Sequence, residues 1–271
     1  MVMNVAIVIP VYKNPDKWEE ISLRQCCKIL GQYKMILVAP KSFNTCNYVS
    51  LWKSYNIELN IERFSDDYFS GIPGYNRLLL SKEFYSRFAK YEYILIYQPD
   101  VYVFADKLKE WCEKQYDYVG APLVGKFDET KYYPDMSLRV GNGGFSLRKV
   151  NTYLRFFDRN NNVFSSKQII KNINLWRKPH TRFFVWLLML LGWRNKPMSV
   201  AKHWKYNEDD FWSGYLDNSN YALTKPNPIE ALDFAFERFP SEMYKLRGQL
   251  PFGCHAWKKY EYDIFWIKYI K

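Results

Sequence analysis

Short apolar runs and helix-compatible stretches alternate over the first hundred residues. Val5 to Val11 (VAIVIPV) has the composition of a buried strand. Tyr12-Lys13-Asn14-Pro15-Asp16 breaks it, and Lys17 to Leu30 follows as a helix. Met35 to Val38 is a second apolar run, ended by Ala39-Pro40-Lys41. Asn47 to Tyr55 reads as a helix and Ile57 to Phe64 as a third strand. A Gly71-Ile72-Pro73-Gly74 loop then leads into a helix predicted from about Tyr75 to Phe88. Tyr93 to Tyr97 is apolar, β-branched or aromatic, and reads as a central buried strand. Pro99 cannot donate to a sheet ladder, so that strand ends before it. Asp100 is thereby placed at the C-terminal edge of the strand, where open α/β sheets bind ligands. The same residue also suits a plain turn. Strands alternating with helices predict βαβ units and a mixed, mainly parallel sheet flanked by helices.

Beyond the central strand, Asp106 to Gln115 reads as helix. Val140 to Arg148 (VGNGGFSLR) carries glycines at 141, 143 and 144, which permit positive φ and close approach of backbone to a ligand, or simply a tight turn before a strand. Phe183 to Leu191 (FFVWLLMLL) is apolar throughout. Asn207-Glu208-Asp209-Asp210-Phe211-Trp212 brings three carboxylates together. On a helix, residues 209 and 212 share a face while Glu208 points elsewhere. One carboxylate then serves a site while its neighbour holds structure; acids in a first helical turn also complement the helix dipole. Glu230 to Phe239 is predicted helical. Pro251 to Trp257 (PFGCHAW) is an aromatic loop holding one of the three histidines, as a ligand or as a hydrogen-bonded core residue.

Composition narrows the class. The 271 residues are 48% hydrophobic and 19% aromatic, enough for a substantial core. Cys26, Cys27, Cys46, Cys112 and Cys254 form no CxxC pair and no zinc spacing, and read as reduced thiols. There is no GxGxxG after the first strand and no P-loop. No apolar run reaches the roughly 18–20 residues that span a bilayer, and MVMNVAIVIPVY is too strand-like for a signal peptide. The net charge of +11 is not spread evenly: between Arg159 and Asn207 there is no acidic residue. Arg177, Lys178 and Arg182 precede the apolar run, and Arg194 and Lys196 follow it. Such local charge argues against a nucleic-acid-binding surface and for one anionic partner. Basic flanks and tryptophans around an apolar stretch suit a helix lying on an anionic membrane surface through residues 159–207; a buried helix with solvated flanks is the other use of such a run. The expected location is the cytoplasm, peripheral on the inner face of the membrane.

Taken in order, the Gln98-Pro99-Asp100 strand end, the GNGGFSLR loop, the NED-plus-aromatic motif and the PFGCHxW stretch resemble bacterial glycosyltransferases of the GT-A fold, outside about residues 155–205. The resemblance implies a nucleotide-diphosphate sugar donor, a glycan acceptor and a divalent cation, Mn²⁺ or Mg²⁺. It implies that Val11, Tyr12, Lys13, Asn76, Arg77, Gln98 and Asp100 lie on the donor side, with Asn142 and Gly143 lining the sugar. The Asp-x-Asp motif of that fold falls on Gln98-Pro99-Asp100, so its first Asp is replaced. Asp100 and His255 would hold the metal. Glu208-Asp209 matches an acid pair whose Asp is the catalytic base, with Asp210 the neighbouring alternative. A base opposite the diphosphate implies inversion. A polyprenyl-diphosphate-linked acceptor would explain the basic apolar insertion. The expected organisation is one domain in which 1–154 binds the donor, 155–206 is the helical insertion and 207–271 supplies the catalytic part. The competing classes are a nucleotidyltransferase and a non-catalytic, membrane-associated sugar-nucleotide or glycan-binding module.

Overall fold

The computed structural model describes residues 4–124, 140–173 and 179–270. In chain order the first half contains β1 (Val5–Pro10), α1 (Lys17–Leu30), β2 (Lys34–Pro40), α2 (Cys46–Lys53), β3 (Leu59–Phe64), α3 (Gly71–Leu79), α4 (Lys82–Arg87), β4 (Tyr93–Tyr97), β5 (Tyr102–Val103), α5 (Leu108–Glu113) and β6 (Tyr118–Gly120). The second contains β7 (Phe145–Lys149), α6 (Val150–Asp158), α7 (Ser166–Ile173), α8 (Pro179–Leu190), α9 (Pro197–His203), α10 (Glu208–Ser213), α11 (Pro228–Phe234), β8 (Ala235–Phe236), α12 (Pro240–Arg247) and β9 (Gly253–Cys254).

Six strands form the main sheet in the order β3-β2-β1-β4-β7-β6. β3, β2, β1 and β4 run parallel, whereas β7 is antiparallel to both β4 and β6. This is the mixed, mainly parallel α/β layout expected. Every residue of β1 and β4 is buried. Ala6, Val8, Ile94 and Ile96 enter the core on one face; Val5, Ile7, Leu95 and Tyr97 enter the core on the other. Helices cover both faces, which is why these strands read as continuous apolar runs without alternation. The start of α1 is fixed by a reciprocal cap: Asp16 Oδ1 accepts from the Trp18 and Glu19 amides, and Glu19 Oε2 accepts from the Asp16 amide.

Several boundaries differ from expectation. The single helix predicted from Tyr75 to Phe88 is two, α3 and α4. Ser81 interrupts it, its Oγ accepting from the Phe84 amide at 3.1 Å as a new N-cap. The Gly71–Gly74 stretch is the first turn of α3, not a loop before it. The helix predicted over Asp106–Gln115 spans only Leu108–Glu113, with Asp106 Oδ1 accepting from the Leu108 amide ahead of it. The helix predicted over Glu230–Phe239 stops at Phe234, and Ala235–Phe236 pairs as β8.

The basic segment folds as the end of α6 followed by α7, α8 and α9. Phe156, Phe164, Ile169, Val200 and Ala201 anchor it to the core. Val185, Trp186, Met189 and Leu190 of α8 lean on that core, whereas Phe183, Phe184, Leu187, Leu188 and the following Leu191 are exposed. α8 is therefore neither a buried helix nor a fully solvated one. Arg177 and Lys178 lie outside the described residues. Among the described residues no helix is long and apolar enough to cross a membrane.

Candidate active site

β4 ends at Tyr97, as Pro99 requires. Because β7 is antiparallel to β4, with Tyr97 opposite Phe145, the 140–144 loop arrives at the same edge as Gln98. The Gln98 amide donates to the Gly144 carbonyl at 2.9 Å. A second, three-stranded sheet, β5-β9-β8, completes the edge. Its antiparallel β5–β9 pair, Tyr102 opposite Cys254, brings the residues before β5 beside those after β9. Its parallel β8–β9 pair, Phe236 opposite Cys254, sets the next residues, Glu237 and His255, side by side.

His255 is the meeting point. Its Nε2 lies 3.3 Å from Asp100 Oδ1 and 3.2 Å from Gln98 Oε1. Its Nδ1 lies 3.2 Å from Glu237 Oε1 and 3.0 Å from Asn142 Nδ2. Burial alone would lower the imidazole pKa; the Asp100 and Glu237 carboxylates more than reverse this and raise it to about 10. Burial works to raise the Asp100 carboxyl, but His255 holds it below the ordinary aspartate value.

The 140–144 loop is built for close approach. The positive φ falls on Asn142, at 69°, and not on its neighbouring glycines. A Cβ on Gly143 would stand 2.1 Å from Glu208 Oε1, and one on Gly144 would stand 2.3 Å from His255 Nε2. Asn142 is buried and fully engaged. Its Oδ1 accepts from the Gly144 and Phe145 amides, its carbonyl accepts from Tyr118 OH, and its own amide donates to Asp209 Oδ2 at 3.1 Å. One residue thus touches both His255 and Asp209. Asn142 and Gly143 support the site from beneath and are absent from the lining of the donor-side cavity described below.

The acid cluster divides into two environments. Glu208 is buried and forms a bidentate pair with Arg148, at 2.7 and 2.9 Å. Arg148 is itself buried and also donates to Ser146 Oγ and Tyr85 OH. Burial raises the Glu208 carboxyl, with the guanidinium opposing. Both Glu208 carboxylate oxygens are thus committed to the Arg148 guanidinium. Asp209 meets the same loop one residue earlier, its Oδ1 accepting from the Asp210 amide and its Oδ2 from the Asn142 amide. Asp210 is half-buried beside it.

A cavity of about 330 Å³ opens beside this edge, lined by Val11, Tyr12, Lys13, Tyr75, Gln98 and Asp100 among others. Lys13 is held by Glu19 at 2.9 Å. Asn76 and Arg77 do not line it. Asn76 Oδ1 accepts from the Glu208 amide and its Nδ2 donates to the Tyr206 carbonyl, so it latches the start of α10. Arg77 donates to the Asp67 carbonyl and borders a different groove. Adjacent helical residues point about 100° apart, so one cavity seldom takes both. Glu237 and Tyr75 are site residues the sequence reading missed. A bury-prone tyrosine one residue before Asn76 was the available signal for Tyr75; Glu237 gave none, because it lay inside a predicted helix.

The donor set facing His255 Nε2, one carboxylate and one amide oxygen, suits Mn²⁺ or Mg²⁺. Among the described residues no group of three or more His, Cys, Asp or Glu is placed to hold a metal. Phosphate oxygens and water would complete the coordination of a cation held by Asp100, His255 and Gln98.

The fold and edge define an α/β protein with its polar cluster at the carboxyl end of the central strand. The chain belongs to the family described as "Protein of unknown function (DUF5672)", whose profile matches residues 58–255. No curated protein matches the chain in sequence. Among solved structures it is similar to S. aureus TarS 1–349 in complex with UDP-GlcNAc, at 13% identity over 55% of this chain and 46% of that one, TM-score 0.37. It is similar to the galactosyltransferase LgtC in complex with donor and acceptor sugar analogues, at 12% identity over 92% and 86% of the two chains, TM-score 0.45. It is also similar to the bifunctional glycosyltransferase WbbM, at 12% identity over 94% and 46%, TM-score 0.49. The chain thus spans less than half the length of the TarS and WbbM chains it matches.

Proposed function

We propose that the protein is an inverting glycosyltransferase of the GT-A type, moving a sugar from a nucleotide-diphosphate donor to a hydroxyl of a glycan acceptor. One observation carries the reading: Asn142 joins His255, which faces Asp100 and Gln98 beside a cavity, to Asp209, so that an ion-binding edge and a candidate base share one rigid support. The nucleotide occupies the cavity between Tyr12 and Tyr75. Lys13 meets the phosphates on that side, exchanging its contact with Glu19 for them. The Asp100–Gln98–His255 edge would hold Mn²⁺ or Mg²⁺, with the imidazole deprotonated at Nε2, and the ion would supply positive charge as the diphosphate leaves. Asp209 takes the proton of the acceptor hydroxyl while that oxygen bonds to the anomeric carbon and the bond to the diphosphate breaks. Asn142 fixes the Asp209 carboxylate, and Arg148 keeps the Glu208 charge out of the reaction.

The exposed apolar face of α8 docks on an anionic membrane surface. Its basic surroundings include Arg182, Arg194 and Lys196, and acids are absent throughout that stretch of sequence. That placement suits an acceptor carried on polyprenyl diphosphate at the inner face, in surface polysaccharide synthesis. A thermal-shift panel of nucleotide sugars with and without Mn²⁺ tests the core of the reading. The expected outcome is one nucleotide class that raises Tm only in the presence of the ion, followed by transfer to a glycan acceptor. Binding without transfer to any acceptor would support a non-catalytic module; pyrophosphate release from a nucleoside triphosphate would support a nucleotidyltransferase.

A further inference from the structure

α3 separates the donor-side cavity from a second, larger groove of about 1020 Å³. Its other walls are the Asp66–Phe69 turn, the start of α4, and α9. Arg77, Lys82, Lys202 and His203 line it, against the two acids Asp67 and Glu83. Lys82 is occupied by Asp158 at 2.6 Å. Arg77 spends one N–H on the Asp67 carbonyl at 3.1 Å, which leaves most of its fork for another acceptor. Lys202 is exposed and makes no hydrogen bond or ion pair among the described residues. His203 donates its Nδ1–H to the Ser199 carbonyl, which aims the rest of the ring outward. Ser65 and Ser199 add hydroxyls to the lining, while Ser70 and Ser81 spend theirs on the Asp67 and Leu78 carbonyls. Donors grouped around a planar fork and an uncommitted ammonium are the recognition chemistry of phosphate.

Two relations give the groove a place in the reaction. α9 ends at His203 and α10 begins at Glu208, so even a fully extended link keeps the ends within about 18 Å. Met198, which lines the groove, is itself exposed, and the exposed Leu191 and Trp193 precede it on the same segment. Sugar site, cationic groove and apolar helix therefore follow one another along residues 183–209. We propose that the groove binds the phosphate or diphosphate of a phosphate-linked acceptor, whose sugar end reaches Asp209. The acceptor assignment rests on the glycosyltransferase reading; phosphate binding by the groove does not.

The test is calorimetric titration of the full chain with farnesyl diphosphate in EDTA, so that no cation recruits the probe to Asp100 and His255. The wild-type protein and Arg77→Gln/Lys202→Gln are compared, with vesicles of anionic phospholipid as a second arm. The expected result is binding of farnesyl diphosphate that weakens roughly 10-fold or more in the double variant. Vesicle binding stays unchanged, as does nucleotide-sugar binding measured separately with Mn²⁺ and no EDTA, and Arg77→Lys/Lys202→Arg restores the affinity. Unchanged farnesyl diphosphate affinity in the double variant, or none in the wild type, overturns the proposal. So does a double variant that loses only vesicle binding, since the groove would then read bilayer headgroups. If the phosphate result holds while no nucleotide sugar is ever transferred, the enzyme reading falls and the phosphate site stands.

Discussion

The loop around Asn142 and the helix α8 treat their surfaces in opposite ways. At the loop, both backbone and side-chain polar groups of Asn142 have partners inside the protein, and two glycines admit neighbours that no other residue would. On α8, half of the apolar residues are exposed, and acids are missing for almost fifty positions around it. The first arrangement fixes geometry before any ligand arrives. The second leaves apolar area open, which in soluble proteins marks a surface that something else covers. A mutation at the loop should therefore act through placement of reacting groups, and one on α8 through attachment alone.

The largest effect that would test this contrast belongs to Asp209→Asn. It should cut transfer by about 10²–10⁴-fold while donor affinity, measured by calorimetry, and Tm stay as they are. A loss of less than tenfold would move the base to Asp210. Its neighbour should behave in reverse: Glu208→Ala leaves the Arg148 guanidinium buried without its carboxylate, and urea unfolding should show a loss of about 3–5 kcal/mol. If stability barely changes, the pair is not the structural anchor described. Glu237→Gln removes the carboxylate behind His255 and should weaken Mn²⁺ binding by about 10–100-fold, followed by electron paramagnetic resonance, with folding intact. Equal affinity in the variant would make Glu237 a bystander. The smallest structural effect should come from α8. Leu187→Ser/Leu188→Ser should change unfolding free energy by no more than about 0.5 kcal/mol, because both side chains are exposed, yet it should release the protein from anionic vesicles in a flotation assay. Retained flotation would break the membrane reading and leave the loop untouched.

Much of the architecture is legible because long buried strands announce themselves by composition. β1 and β4 are apolar runs closed by breakers, and β4 ends two residues before Pro99. The pairing of Asp100 with His255 is not legible in that way. It depends on β5, β8 and β9, each two residues long, too short for any periodicity to register. Only the order of motifs pointed there. The division of labour between Glu208 and Asp209 follows from Arg148, a charged residue inside a strand whose first four positions are buried. A buried arginine demands a carboxylate, but the sequence does not mark Arg148 as buried, so the pairing with Glu208 is not legible. Ser81 shows the converse: a good N-cap inside a helical pattern splits one predicted helix into two.

The short three-stranded sheet separates the formation of the main sheet from the assembly of the Asp100–His255 edge. Gln98 and His255 are 157 positions apart, so closing that contact carries the entropy of most of the chain. The β1–β4 sheet can form from local segments during synthesis, with Asp100 already at its edge. Its histidine partner arrives only after the last stretch has emerged and β9 has threaded between β5 and β8. A chain arrested before Gly253 would keep the greater part of both cores and lack the His255 side of the edge. A probe on His255 would thus time the closing of that edge independently of the main sheet.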